Sequence, residues 1–244
     1  LHGDGVRVWL VDCPAYFDRE GIYGAEGGDY ADNDRRFALL SRAGLETAVH
    51  LGWRPSVVHA HDWQAGLVPA YLKYRYQNVP TLAHVPTVFT IHNLAYQGLF
   101  AAEALPAIDL GLESFTGEGL EFWGHASLLK AGINFSDVVT TVSRSYAQEI
   151  QTPEHGCGFE GVLQKRSHVL VGIRNGIDTF VWNPESDAWL PASYSAKDLS
   201  GKTAVKMALL ERCGMHDAVH VGRPVVGMVS RMVDQKGLDV IKAA

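Results

Sequence analysis

The last stretch of the chain joins an apolar run to two cations. Val225 to Val229 are apolar, and Arg231 and Lys236 follow them in a polar turn before a helix-like segment. A guanidinium can bind phosphate oxygens with two parallel hydrogen bonds, whereas an ammonium acts as a point charge. The residue types therefore fit either two solvated surface cations or a seat for an anionic group.

Polar side chains also follow most of the other apolar runs. If these runs are parallel strands, their carboxyl ends lie along one edge of a sheet, where ligands bind in open α/β folds. One such residue means little, but several in the same topological place form a pattern. The residues concerned are His61 and Asp62, His92 and Asn93, Ser143, Asn175 and Asp178, and Ser230 with Arg231.

Each of these residues also has a simpler interpretation. His92 taken alone fits a buried, hydrogen-bonded histidine as well as a site residue. Asn175 stands in an Asn-Gly pair, a common turn dipeptide, and Ser143 is suited to cap the helix after it. His59 and His61 form a His-x-His pattern next to an aspartate, but no second cluster of ligands stands at a useful spacing, so we expect no metal site.

The elements that must position these residues alternate between strand-like and helix-like patterns. Continuous apolar runs are typical of strands buried on both faces, and their alternation with helices favours an α/β fold with parallel sheets. Residues 101–124 are expected to be an irregular insertion with short helices. The strand-like runs span 6–11, 56–61, 87–92, 137–143, 168–173 and 224–230, and the helix-like segments span 32–53, 63–76, 143–152 and 200–214.

A glycine-rich loop follows the third helix-like segment. Gly156, Gly158 and Gly161 match GxGxxG, but a dinucleotide fingerprint must follow a strand and open a helix. This match follows a helix and Pro153, so we reject nicotinamide binding. We place the domain junction just beyond it, at about residues 164–172.

Bulk properties exclude several classes. The 244 residues carry a net charge of −6, which argues against a general nucleic-acid binder. The three cysteines are widely spaced and fit a reducing cytoplasm better than a disulfide framework. No apolar run approaches the roughly 20 residues that a membrane span needs. The chain begins just before one apolar run and stops within a helix-like pattern, so we interpret it as a fragment.

Together the motifs resemble glycosyltransferase family 5, the bacterial glycogen synthases and plant starch synthases. The resemblance extends over nearly the whole chain, with several long motifs in the family's order. It rests on YGAEGGDYADNDRRFALLSRAGLE (23–46), VVHAHDWQAGLVPAYLK (57–73), TVFTIHNLAYQGLF (87–100), DVVTTVSRSYAQEIQTPEHGCGFEGVL (137–163), GIRNGIDTFVWNP (172–184) and GMVSRMVDQKGLD (227–239).

The resemblance implies a GT-B architecture, with two Rossmann-like domains that face a cleft and are both truncated here. Residues 1–168 would form the acceptor-side domain without its first strands, and 169–244 the start of the nucleotide-sugar domain. The implied reaction moves glucose from ADP-glucose to the non-reducing end of an α-1,4-glucan and retains the anomeric configuration. It implies no metal, cofactor, nucleic acid or membrane, and a cytoplasmic location, or a plastid one in a plant or alga.

The family's residue roles carry over by motif. Arg231 and Lys236 match the pair that binds the donor diphosphate and stabilises the leaving phosphate, where fixed cations act on developing charge. His92 matches the histidine at the transferred glucose, and Asp62 the acidic residue near donor and acceptor. The implied substrate-binding residues are Asn93, Asn175, Tyr96, Gln97 and Ser230.

The chain also departs from the family pattern. An N-terminal Lys-x-Gly-Gly loop and a C-terminal Glu motif are absent, so we expect the 244-residue chain to be inactive by itself. Arg144 replaces a common proline and Cys157 a common aromatic, which affects local loop geometry. Two alternatives remain: a GT-B enzyme with another donor, including sucrose-synthase-like and phosphorylase types, and a non-catalytic glucan-binding relative.

Overall fold

A computed structural model describes residues 5–215, 223–233 and 236–243. The chain forms two compact units, Leu1–Asn175 (unit 1) and Gly176–Ala244 (unit 2). The predicted division at residue 168 falls within unit 1 and stays a prediction about the domains of the protein.

Unit 1 is an α/β unit built around a parallel sheet. Its elements in chain order are α1 (Pro14–Phe17), β1 (Gly24–Ala25), β2 (Gly28–Asp29), α2 (Asn33–His50), β3 (Val58–His61), α3 (Leu67–Tyr74), β4 (Thr87–Ile91), β5 (Leu99–Ala101), β6 (Glu121–Phe122), β7 (His125–Ser127), α4 (Leu128–Phe135), β8 (Val138–Thr141), α5 (Arg144–Glu149), α6 (Glu160–Lys165) and β9 (Leu170–Gly172).

Four of the six predicted strands are confirmed, and they form one sheet. The order is β3-β4-β8-β9, and every neighbouring pair is parallel. Phe89, Ile91 and Val139 are fully buried, as expected for strands covered on both faces. Helix α4 packs closely on this sheet, because a Cβ added to Gly132 would meet the Phe89 ring at 2.3 Å.

The other two predicted strands are wrong for the described residues. Neither 6–11 nor 224–230 forms a strand in the structure. A strand exists through hydrogen bonds to a neighbour, and neither run pairs with another described segment. Val229 remains wholly exposed, at 105% of its reference area. The apolar pattern predicted that both faces of each run would be buried, but the described residues do not cover them.

The helix-like segments are confirmed with shorter bounds. Segment 32–53 is α2, 143–152 is α5, and 63–76 becomes a 3₁₀ turn (Trp63–Ala65) followed by α3. The predicted cap Ser143 is confirmed, since its Oγ accepts the Tyr146 N–H at 2.9 Å. Asp32 stands at the N-cap of α2, but its side chain pairs with Arg19 and does not cap the first turn.

The expected insertion contains more order than its composition indicates. Short 3₁₀ helices are present at Ala102–Ala104 and Leu112–Ser114, as predicted. Around them lies an antiparallel sheet with the order β5-β7-β6, which the sequence analysis missed. Strands of two and three residues are too short to show a period.

Outside its helices, the described part of unit 2 consists of turns, bends and irregular segments. Its described helices are α7 (Lys202–Arg212), which confirms the helix predicted at 200–214, and α8 (Leu238–Ala243). Gly214, predicted to end α7, has a φ of +69°. The left-handed conformation at this position is the usual helix stop.

Candidate functional site

The ends of strands β3 and β4 bring together two of the predicted site residues, Asp62 and His92, with His61. Parallel pairing places His61 opposite Thr90, so His92 lies just beyond it at the same edge of the sheet. His61 Nδ1 and His92 Nε2 are 3.1 Å apart and share a hydrogen bond. Asp62 Oδ1 accepts the backbone N–H of His92 at 2.8 Å. Adjacent parallel strands therefore fix His92 by both its ring and its backbone.

Asp62 holds this position in a strained conformation. Its φ of +53° lies in the left-handed region, which non-glycine residues rarely adopt. Its N–H donates to the Thr90 carbonyl, and its carbonyl accepts from Ala65 in the 3₁₀ turn. Trp63 beside it is buried and packs edge-on against Phe37, with ring centroids 4.6 Å apart. The buried Trp63 thus holds Asp62 where its carboxylate reaches His92. Strain of this kind is typical of ligand sites.

A row of three histidines continues from His92 along β3. The His59 and His61 rings lie 4.2 Å apart between centroids. His59 Nε2 hydrogen-bonds Thr90 Oγ1 at 2.7 Å, and Thr90 Oγ1 contacts Thr140 Oγ1 at 2.5 Å. This row ties the candidate site to the hydroxyls buried in the sheet. Sequence analysis placed His61 and His92 along one edge of the sheet but missed the hydrogen bond between their rings.

Burial and neighbouring rings disfavour a charge on the inner histidines. Burial lowers the pKa of His59, and the nearby His92 lowers it further. Burial also lowers the pKa of His61, as do His59 and His92, while Asp62 opposes that shift. Neutral rings suit the His61–His92 contact, because one nitrogen must donate and the other accept. In the part of the chain that the structure describes, no group of three or more His, Cys, Asp or Glu side chains is arranged to hold a metal.

The loop after β4 carries three further predicted residues. Asn93 Oδ1 accepts the Ala95 N–H at 3.1 Å, which shapes the turn. Tyr96 is exposed, whereas Gln97 donates from Nε2 to the Cys157 carbonyl at 2.9 Å. Gln97 therefore joins this loop to the glycine-rich loop, in which Cys157 has a φ of +49°. Its observed contact is within the protein, and its substrate-binding role stays a prediction.

Tyr146 on α5 is a second positioning residue that sequence analysis missed. Its hydroxyl accepts the Leu94 N–H at 3.2 Å, so α5 supports the loop after β4. Burial raises the pKa of Tyr146, which keeps the phenol neutral. The sequence held no signal for this contact, since the two residues are 52 positions apart.

The remaining predicted residues lie elsewhere. Asn175 is exposed at the end of unit 1, outside any strand or helix. Ser230, Arg231 and Lys236 belong to unit 2 and are all exposed. Ser230 Oγ donates to the Arg231 carbonyl at 3.2 Å, and neither cation forms an ion pair with any described residue. Asp234 and Gln235, within the same motif, lie outside the described residues.

Membrane insertion gains no support from the described helices. None of them is both long enough and apolar enough to cross a bilayer.

Comparisons with known proteins agree on one family. Residues 1–165 match the family model described as the starch synthase catalytic domain. The chain is 52% identical over 238 residues to a glycogen synthase of Myxococcus xanthus (strain DK1622), covering 97% of this chain and 49% of that protein. It is 48% identical over 239 residues to a glycogen synthase of Koribacter versatilis (strain Ellin345), covering 98% and 49%. The chain thus spans about half the length of these curated relatives.

A solved structure supports the same assignment. It is the catalytic domain of starch synthase IV from Arabidopsis thaliana bound to ADP and acarbose. The match has a TM-score of 0.80 and 37% identity, and covers 88% of this chain and 44% of that one. The predicted fold class, α/β of the GT-B type, is confirmed by this match and by the family model.

Proposed function

The chain belongs to the family of starch synthase catalytic domains, and from this premise we propose that the protein transfers glucose from ADP-glucose to an α-1,4-glucan. Glucose would join the non-reducing end with retention of its anomeric configuration. The carrying observation is the site at the ends of β3 and β4, where Asp62 and His61 fix His92 by backbone and ring. The similar plant enzyme is bound to ADP and acarbose, which supports a nucleotide and a sugar as ligands here.

His92 is proposed to meet the transferred glucose. Departure of the diphosphate leaves positive charge on the sugar ring, and a fixed polar group next to that ring stabilises it without reorganising. The described side-chain hydrogen bond of Asp62 uses Oδ1, and Oδ2 is assigned to a sugar hydroxyl. Asn93, Tyr96 and Gln97 are assigned to the same substrate because their loop leaves β4 directly after His92.

Arg231 and Lys236 are proposed to bind the donor diphosphate, with Ser230 and Asn175 as further substrate contacts. Lys236 acts as a point charge that holds the bound diphosphate, and the charge that grows on the leaving phosphate makes the fixed guanidinium of Arg231 most effective in the transition state. Neither cation forms an ion pair with a described residue, so no described partner has to be displaced before either cation binds phosphate. The mechanism needs no metal and no cofactor.

The proposed compartment is the cytoplasm. Cys13, Cys157 and Cys213 are all free thiols, which suits a reducing compartment.

The test is glucosyl transfer by the full-length protein. Labelled ADP-glucose and UDP-glucose are offered separately with glycogen, and label in the polymer is measured, with acceptor-free reactions as the control. We expect transfer from ADP-glucose above that from UDP-glucose. Faster transfer from UDP-glucose would favour the alternative of another donor. Transfer from neither, with glycogen binding intact, would favour the non-catalytic glucan-binding relative.

A further inference from the structure

A groove of about 370 Å³ opens on unit 1. It lies among the β6–β7 turn, the start of β6, helix α4 and helix α6. Its walls include Glu118, Trp123, Lys130 and Lys165. None of the predicted site residues lines this groove. The proposed function therefore assigns it no ligand.

Trp123 forms an exposed wall of this groove. It forms a two-residue hairpin turn with Gly124, and their φ values are +52° and +81°. Such turns favour Asn-Gly or Gly-Gly, because both positions need positive φ. The turn is braced, since Glu121 Oε1 accepts the Gly124 N–H at 2.8 Å and His125 Nδ1 contacts the Trp123 carbonyl at 3.1 Å. The chain therefore keeps a 77% exposed indole where a small residue fits better.

Gly158 lies against the aromatic wall. A Cβ added there would lie 3.7 Å from Trp123 Nε1 and 3.3 Å from the Phe122 ring. Gly117 and Gly161 also line the groove, and a Cβ at either would meet nothing within 4 Å. The glycines therefore leave open space next to residues 117 and 161, while Gly158 backs the aromatic residues.

Lys130 supplies a buried polar group to the groove. The residue is only 5% exposed, and its ammonium donates to the carbonyls of Gly117, at 2.9 Å, and Glu121. An ammonium has three N–H donors, and the described hydrogen bonds use two of them. Burial lowers the pKa of Lys130. A ligand oxygen in the groove would complete the hydrogen bonding of this group.

The charges of the lining residues indicate whether the groove suits an anionic ligand or a neutral one with hydroxyl groups. Glu118 and Glu121 contribute two negative charges, and Lys130 and Lys165 contribute two positive ones, so the lining is neutral. Glu118 and Lys165 also pair with each other at 2.8 Å. An anion would meet both carboxylates without a net attraction. A neutral molecule with hydroxyls on its edges and an apolar face would satisfy both the polar groups and the indole.

We propose that this groove binds a glucan chain at a second site on unit 1, with a glucose ring stacked on Trp123 and hydroxyls on Lys130 and the Glu118–Lys165 pair. A sugar ring has an apolar face and polar edges, which match an amphipathic indole beside a polar floor. The choice of glucan among neutral sugars rests on the proposed function. The site holds the polymer by a segment other than the reacting end.

The test compares two exposed tryptophans in the full-length protein. Trp123→Asn removes the aromatic wall and keeps a residue that tolerates the left-handed turn. Trp189→Asn is the matched control, because Trp189 is 91% exposed in unit 2. Binding is measured by native electrophoresis in gels with and without glycogen, and by calorimetry with maltoheptaose. Thermal unfolding confirms that both variants fold.

We expect Trp123→Asn to weaken glycogen binding about tenfold, as for the loss of a stacked aromatic anchor, and Trp189→Asn to leave it unchanged. In Trp123→Asn the KM for glycogen should rise as glycogen binding weakens, while kcat and the KM for ADP-glucose should stay at wild-type values. Equal glycogen binding by Trp123→Asn and wild type overturns the proposal. Trp123-dependent binding in a protein that transfers no glucose supports the groove and contradicts only the proposed function.

Discussion

Two regions of the molecule carry the same sequence pattern and differ in structure. In unit 1, an apolar run ends in polar residues at His61 and Asp62, and another ends at His92. In unit 2, the run from Val225 to Val229 ends at Ser230 and Arg231. The first two runs are paired strands that fix their polar residues, whereas the third is exposed and unpaired among the described residues.

An apolar run indicates that a segment needs to be buried, but whether it is buried depends on the segments that pack against it. Continuous apolar residues indicate a segment that is stable only when covered on both faces. Phe89 in β4 is fully buried against α4, while Val229 is fully exposed. His92 is accordingly held by Asp62 and His61, and Arg231 has no comparable support among the residues that the structure describes. The following predictions test this contrast, beginning with the largest expected effect.

Core truncation should separate the two regions most clearly. In the 244-residue chain, Phe89→Ala should lower the free energy of unfolding by about 3–5 kcal/mol, through lost burial and a cavity next to Gly132. Val229→Ala should change it by less than about 0.5 kcal/mol, because an exposed side chain loses no packing. Urea unfolding followed by circular dichroism measures both.

Equal costs for the two substitutions would contradict the structural contrast. Repeating Val229→Ala in the full-length protein sharpens it. A larger cost there would show that residues outside this chain cover the run from Val225 to Val229.

Substitutions in the two regions should also affect different kinetic parameters. In the full-length protein, His92→Ala should lower kcat about a hundredfold, as expected for a group that acts mainly in the transition state. Lys236→Ala should mainly raise the KM for ADP-glucose, by about tenfold, because it removes a charge-assisted contact to the donor. Steady-state kinetics with ADP-glucose varied at saturating glycogen measures both parameters. Equal losses in turnover and donor affinity for both variants would contradict the division.

The ring contact between His61 and His92 should have a smaller effect. His61→Leu removes the hydrogen bond to His92 Nε2 and should lower kcat about tenfold through a misplaced ring. His61→Asn places an amide near the position of Nδ1 and should retain most of the activity. Steady-state kinetics measures kcat, and the ring nitrogen shifts of His92 report its hydrogen bond by NMR.

His50→Leu, at the exposed end of α2, is the control for replacing a histidine with leucine. If His61→Leu matches it in kcat and the His92 shifts do not move, His61 does not position His92.

Much of unit 1 could be predicted because its signals are local. The four confirmed strands were visible as apolar runs, and the edge where their polar residues gather follows from parallel pairing. The cap at Ser143 depends on one or two residues.

The contacts within the candidate site could not be predicted in the same way. The His61–His92 bond depends on the β3–β4 register, which sets residues 31 positions apart side by side. The left-handed turn at Asp62 runs against residue preference and persists because Trp63 is buried. Strands β5 to β7 were missed because they are too short to show a period.

Acid stability should show the smallest effect and reports on the inner end of the histidine row. Burial and His92 lower the pKa of His59 below its ordinary value of 6.5, so the unfolded chain binds a proton more readily than the folded one. Stability from this group is therefore complete above pH 6.5 and is lost as the pH falls from there toward the lowered pKa.

His59→Gln keeps a hydrogen-bonding atom near Thr90 Oγ1 and cannot titrate. Thermal unfolding from pH 7.5 to pH 5, a range that starts about one unit above the ordinary pKa of histidine, should show a shallower acid loss for His59→Gln. Part of the loss should remain, because burial lowers the pKa of His61 too. An equal or steeper loss in the variant would mean that His59 is not kept neutral by its place against the sheet, and the row would then end at His61.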